Sequence, residues 1–600
     1  MMKTLIYLFF GIFSFVLSAQ TDYDLAENYF SKGDFEKALI LYQKLHKSSP
    51  TNSNIVFRII EIQQELQHFD EAEALIKSQL SIRKNPQMLV ELGYNFQRQN
   101  KIEKAKENYQ QAIDMAKSVP NYSYAIALRF EAHSLVNQAI EAYRLALNQT
   151  RNLNYEYRLA GLYAEQKDIK NMFLSYLNFT ENNPTYQNQV LRLFNEYISE
   201  DSGSEYNQIL KKIILHKLQS SSNIFWNQIL SWLYVQQQDF KKAFLLERSI
   251  FRRSNNSLQG IIDVGMMAKL AKNYAVTFEV FEYVIQNAQD SRLIIEANRQ
   301  LLELDLVRTT SPDLKQIKTK YNTLFDRYGL NTETIELQLS YTDFLALHFQ
   351  QKPEAISFLK SALSQNLSST DLARLKLKLA DILVTSSQFN QALLYYAQVQ
   401  TSLKNSTLAQ EARFKSARTS YYKGDFDWAE TQLKVLKSST SQLNANDALK
   451  LHLLITDHKF GDSLQTPLRL YAKADFLDLQ NKKTEAIFVL DKLIVEHKTH
   501  AIIDESLFLQ AEFFESTAQY QKAKDNYLRI IEDFSSEILI DDACFAIAEL
   551  YRNIFDQPEQ AIKFYEKIIF NHPDSIHFVA SKKHFRNLRK KSSDKTTIDL

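Results

Sequence analysis

Residues 25–50 read LAENYFSKGDFEKALILYQKLHKSSP. Small residues stand at Ala26 and Ala38, aromatics at Tyr29, Phe35 and Tyr42, and Pro50 closes the stretch. Two amphipathic helices fit that pattern, joined by a tight turn through Lys32, Gly33 and Asp34. Ala26 and Ala38 fall where the helices cross, and only a small side chain lets two backbones approach there. The aromatics fill the space around the crossing.

The position of Ala38 recurs at Ala72, Ala105, Ala139 and Met172, in steps of 34, 33, 34 and 33 residues. It returns at Ala243 and Thr277, then at Ala355, Ala392 and Ala429 in steps of 37, and at Ala486, Ala523 and Ala561 in steps of 37 and 38. A period of this size is the signature of stacked helix pairs. The small and large positions resemble those of the tetratricopeptide repeat. That resemblance implies an all-α solenoid, a right-handed superhelix of antiparallel helix pairs, and a role in binding other proteins.

Composition agrees. The 600 residues hold Gly 10 and Pro 9, far below the usual shares of about 7% and 5%, so the connections are expected to be short. A hydrophobic content of 45%, with 12% aromatic, excludes a disordered chain. Six hundred residues exceed one compact core, a limit that a solenoid avoids because each repeat packs only on its neighbours. Seventy-one basic and 70 acidic residues leave a net charge of +1, which gives no global attraction to nucleic acid.

Residues 1–19 read as a signal peptide: Lys3 supplies the positive charge, Leu5 to Leu17 the apolar run, and Ser18 and Ala19 the approach to a cut before Gln20. The apolar run is shorter than the about 20 residues of a membrane span, and no later stretch reaches that length without charges. An exported chain is expected, periplasmic, outer-membrane-associated or secreted. Its start resembles that of secreted proteins of Bacteroidetes-type bacteria. The single cysteine, Cys544, is expected to be buried in a helix, and no cysteine follows the apolar run to carry a lipid.

The expected segments are an array over 20–184, irregular repeats over 185–335, an array over 336–437, an irregular helical connector over 438–466, a last array with a basic capping helix over 467–591, and a flexible tail over 592–600. Breaks are expected near 200, where Ser199 to Ser204 reads as loop, near 320, and near 450. Ser311 and Pro312 read as a helix cap followed by proline at the first helical position, Tyr328 to Asn331 as a helix stop, and Phe460-Gly461-Asp462 as a turn. Residues 501–590, with Tyr527 and Tyr565 in corresponding helices and His572-Pro573-Asp574-Ser575 closing the last, resemble repeat modules of envelope proteins that assist outer-membrane protein assembly or coordinate constriction.

No phosphate loop, HExxH, GxSxG, CxxC or calcium loop occurs, so no cofactor, metal or catalytic residue is assigned. His452 with His458, His497 with His500, and His572 with His577 each lack the further ligands a metal needs. Asp425 and Asp541-Asp542 read as capping groups. The candidate partner-binding groove alternates aromatic and charged residues: Tyr23 and Glu27, then Phe57, Arg58 and Glu61, then Tyr94 and Arg98, and finally Tyr157 and Arg158. Such a surface suits an extended peptide or a helix of a partner protein, and its glutamates disfavour capture of a terminal carboxylate. Lys582, Lys583, Arg586, Arg589, Lys590 and Lys591 form a basic stretch with Phe585 and Leu588 on one face, read as a capping helix or as a contact with anionic lipid or lipopolysaccharide. The expected function is a non-enzymatic scaffold of the bacterial cell envelope. An accessory factor for outer-membrane assembly or division is the nearest alternative, and a glycan-acting enzyme with its site in an irregular region is the one from another class.

Overall fold

A computed structural model describes residues 22–82, 85–150, 154–254, 257–308, 310–436, 442–460 and 464–596, without the side chains of 150, 442–444 and 590–596. The signal peptide expected over 1–19, the last four residues of the tail expected over 592–600, the side chains of Lys590 and Lys591, and most of the turn expected at 460–462 lie outside them, while the backbone of 592–596 continues the helix Phe578–Thr596. Among the described residues every regular element is a helix. The chain divides into two compact units, one up to Val280 and one from Phe281 onward.

The first unit runs as consecutive helix pairs. A helix over 22–31 pairs with Phe35–Ser48, Ser53–Glu65 with Phe69–Ile82, Gln87–Arg98 with Ile102–Ser118, Ser123–Ala132 with Val136–Thr150, and Asn154–Glu165 with Ile169–Asn182. After 185 come a short helix, Gln187–Phe194, and a longer one, Glu205–Ser220, both packed on Ile169–Asn182. The loop between them is tied down by Asn207, fully buried, whose Nδ2 donates to the carbonyls of Ser199 at 2.8 Å and Asp201 at 2.7 Å.

Burial fixes the repeat register. The small-position residues from Ala38 to Ala561 quoted above are all buried. Four residues further on, one turn along the same helix face, stand Tyr42, Ile76, Tyr109, Tyr143, Tyr176, Phe281, Leu359, Tyr396, Leu433, Leu490, Tyr527 and Tyr565, also buried. Glu247 is the exception in that series. Burial pushes its carboxyl above the usual range.

The turns inside the repeats share one backbone device. A residue with left-handed φ stands five positions before each small residue, as at Gly33 (φ 77°), Gln67 (61°), Asn100 (63°), Ser134 (55°), Lys167 (60°), Gly424 (81°) and Ala518 (57°). The following amide then caps the first helix, as where Asp34 N donates to Tyr29 O at 2.9 Å and Leu135 N to Phe130 O at 2.9 Å. Most of these positions are not glycine and carry the about 1–2 kcal/mol cost of that conformation, which the packing of the two helices offsets.

In the second unit Ser291–Val307 and Leu314–Tyr328 lengthen the first pair. The cap of the latter is Asp313, whose carboxylate accepts from Gln316 N at 3.0 Å, not Ser311. A carboxylate satisfies the same free amides and adds favourable charge at the helix start. Gly329, with φ 74°, ends that helix as expected. Within 438–466 the structure places a helix, Gln442–His458, packed on Phe426–Leu436 and Thr407–Lys423. It does not interrupt the stack: Thr466–Leu479 packs on Thr407–Lys423, with Phe476 against Phe389 at 5.1 Å and Arg418 3.5 Å from Asp475. The last pairs, Ile503–Ser516 with Tyr520–Asp533 and Ile540–Asn553 with Pro558–Asn571, hold Cys544 fully buried, and Phe578–Thr596 packs on the final one.

Candidate functional site

Tyrosines at the large position of the second helices reach back to polar groups on the first. Tyr143 donates its hydroxyl to Glu131 at 2.5 Å, Tyr527 to Glu515 at 2.6 Å, Tyr396 to Asp381 at 2.7 Å and Tyr109 to Gln97 at 2.9 Å. Burial first, and the carboxylate second, hold the Tyr143 and Tyr527 phenols far above their ordinary range. Two of these acids also receive a cation from the following first helix, Arg158 on Glu131 at 3.1 Å and Lys415 on Asp381 at 2.8 Å. One carboxylate thus ties together three helices from two repeats.

The candidate groove residues lie along this row. Arg58 is shared by Glu27 at 3.0 Å and Glu61 at 2.9 Å, and its guanidinium covers Phe30 at 4.4 Å. Arg98 pairs with Glu65 at 2.8 Å beside Tyr94, whose ring stacks on His133 at 3.9 Å. Tyr23 packs edge-on against Tyr42 at 6.0 Å, and Phe57 lies under the Arg129 guanidinium at 4.2 Å. The structure therefore joins Glu27, Arg58 and Glu61 in one cluster and Tyr94 with Arg98 in another, and sets Tyr157 and Arg158 apart in a third.

Between the first two clusters and the third lies a buried ionic core absent from the sequence reading. Glu91 is fully buried, 2.6 Å from Arg129 Nε and 3.1 Å from His133 Nε2. Burial alone would raise its carboxyl, but the bonds and charge of His133 and Arg129 outweigh it and hold the carboxyl below the usual range. These partners are 38 and 42 residues away in sequence, so no local spacing points to them.

The third cluster opens into a cleft of about 550 Å³ lined by Tyr124, Asn154, Tyr155, Tyr157, Arg158, Phe179, Tyr186 and Gln189. Tyr124 and Tyr155 stack at 5.0 Å; Tyr157, Phe179 and Tyr186 follow edge-to-face, each 5.2 Å from the next. Gln189 Nε2 donates to the Tyr157 hydroxyl at 3.2 Å. Tyr124 and Tyr186 are 39% and 45% exposed, and their hydroxyls have no hydrogen-bond partner among the described residues. The repeat register could have found Tyr124: it stands three residues before the buried Ala127, as Tyr157 before Ala160, Tyr23 before Ala26 and Phe57 before Ile60. Tyr186 and Gln189 come from the weak repeat, where that register fades.

No group of three or more histidine, cysteine or acidic side chains is placed to hold a metal among the described residues. The paired histidines of the sequence go to separate contacts, His458 to Glu505 at 2.9 Å and His577 to Asp542 at 2.8 Å. No helix among the described residues is long and apolar enough to cross a membrane.

Tetratricopeptide-repeat family models match residues 23–89, 86–118 and 542–575. Helix pairing, register and these matches define a tetratricopeptide-type α-solenoid. No curated protein matches the chain. Among solved structures, Naa15/Naa10 bound to HypK-THB is similar at 12% identity and a TM-score of 0.30, over 96% of this chain and 92% of that one. The APC/C hetero-tetramer Cut9–Hcn1 is similar at 12% identity and a TM-score of 0.22, over 94% and 95%.

Proposed function

We propose that the chain is a non-enzymatic scaffold that holds segments of partner proteins along the first helices of its N-terminal unit. The observation that carries this reading is the tyrosine cleft at 124–189, where exposed rings and unused hydroxyls lie beside the Arg158 guanidinium, which is already paired with Glu131. A partner held there is recognised by ring packing and by hydrogen bonds to its backbone, as suits an extended or helical segment. The apolar leader supports a place in the bacterial cell envelope, periplasmic or at the outer membrane. The resemblance of residues 501–590 to envelope repeat modules favours outer-membrane assembly or division as the process served.

The test is crosslinking and purification of the tagged protein from its own cell envelope, beside a Tyr124→Ala, Tyr186→Ala variant. The expected result is a near-stoichiometric envelope protein that the variant loses while its helical content is unchanged. Recovery of the bait alone, or equal recovery of partner by the variant, would overturn the reading.

A further inference from the structure

The helix Phe578–Thr596 has two unlike faces. Inward, Ser581 is fully buried, and Phe585 and Leu588 pack on Ala548, Ala561 and Tyr565 of the last repeat. This side accounts for the capping role. Outward, Val579 is 77% exposed, and Arg586 follows it seven residues later on the same line of the helix. Lys582, Lys583 and Arg589 are exposed on either side of that line. None of these four cations has a carboxylate partner among the described residues, although most basic groups along the first helices do. In the turn leading into the helix, Ile576 is 86% exposed.

We propose that this face docks the protein on an anionic phospholipid surface. The cations complement the lipid phosphates, and Val579 and Ile576 reach into the boundary between headgroups and chains. A nucleic acid or an acidic protein would satisfy the cations but would leave both aliphatic side chains in water, so a lipid interface uses more of what the face presents. The proposal goes beyond the groove reading and shares no residue with it, so either can fail alone.

The test is co-sedimentation of the full chain with vesicles of phosphatidylcholine, and of phosphatidylcholine mixed with phosphatidylglycerol. Binding is expected to the mixed vesicles only, weakening as salt rises. At about fivefold for each cation, Lys583→Gln with Arg586→Gln should lower partitioning roughly 30-fold. The conservative pair Lys583→Arg and Arg586→Lys should keep it. All of these side chains are exposed, and an unchanged melting curve shows that the variants fold. Equal binding to neutral vesicles, no binding at low salt, full binding by the Gln variant, or tighter binding to a nucleic acid or polyglutamate competitor would overturn the proposal.

Discussion

Replacing Gly93 by alanine should destabilise the third repeat although alanine is the better helix former. Gly93 is buried in Gln87–Arg98, and a Cβ there would lie 2.5 Å from Tyr109 Cδ1, closer still to Cε1, and 3.1 Å from the Ala105 carbonyl oxygen. The ring has little room to retreat: its hydroxyl donates to Gln97 at 2.9 Å and its edge meets Phe130 at 5.6 Å. Overpacking of this kind costs about 1–3 kcal/mol, and with a backbone oxygen also in the way the upper half of that range applies. The helix-propensity gain is about 0.8–1 kcal/mol. The net loss is about 1–2 kcal/mol. At Gly161, in Asn154–Glu165, a Cβ would meet no atom within 4 Å, so Gly161→Ala should keep the whole gain. Repeats open locally rather than as one unit, and hydrogen exchange of each repeat is the suitable assay. Exchange over 87–118 should rise about tenfold in Gly93→Ala, and exchange over 154–182 should fall about fourfold in Gly161→Ala. Slower exchange in Gly93→Ala would refute the close crossing of these helices.

Glu91→Gln should cost about 3–5 kcal/mol at neutral pH, because it strands Arg129 and His133 around a buried neutral amide; urea unfolding measures it. The folded Glu91 carboxyl is held below its unfolded value, so its contribution is present above the unfolded pKa and lost as pH falls through the folded one. Wild type should therefore lose stability on acidification that the variant does not lose. Asp504 behaves oppositely: burial first and the adjacent Glu505 second raise its carboxyl, so its contribution is full below the unfolded pKa and lost as pH rises through the folded one. Asp504→Asn should gain on wild type in melting temperature from pH 5 to pH 8, roughly the interval between an ordinary aspartate and a raised one, and a constant offset would refute the assignment. Burial pushes the Cys544 thiol up to about 11, so a maleimide should label it only after denaturant is added; rapid labelling of the folded chain would contradict its packing.

The repeat register was legible because a helix crossing favours small side chains and leaves an alanine at most of its occurrences, with Met172 and Thr277 the exceptions. Ala38 and its successors mark the pairs without reference to any partner. The weak unit after 185 was legible only as a gap, since its short first helix, Gln187–Phe194, keeps few of those positions. The segment holding Gln442–His458 was legible as helical but not as part of the register, since it carries none of the small positions of the series. The groove residues Tyr23, Phe57, Arg58, Tyr94, Arg98, Tyr157 and Arg158 were legible as a pattern of residue types. Their pairing was not.

The sequence by itself determined the helix pairs and the residues at their crossings, because those follow from contacts between neighbours along the chain. The tertiary structure decided what lies between repeats: the Glu91, Arg129 and His133 core, the carboxylates shared across repeats, and the tyrosine cleft. These contacts join residues about one repeat apart whose meeting depends on how far each pair rotates on the last. The left-handed turns at Gln67, Ser134 and Lys167 belong with them, since there the helix crossing, not the residue type, imposes the backbone.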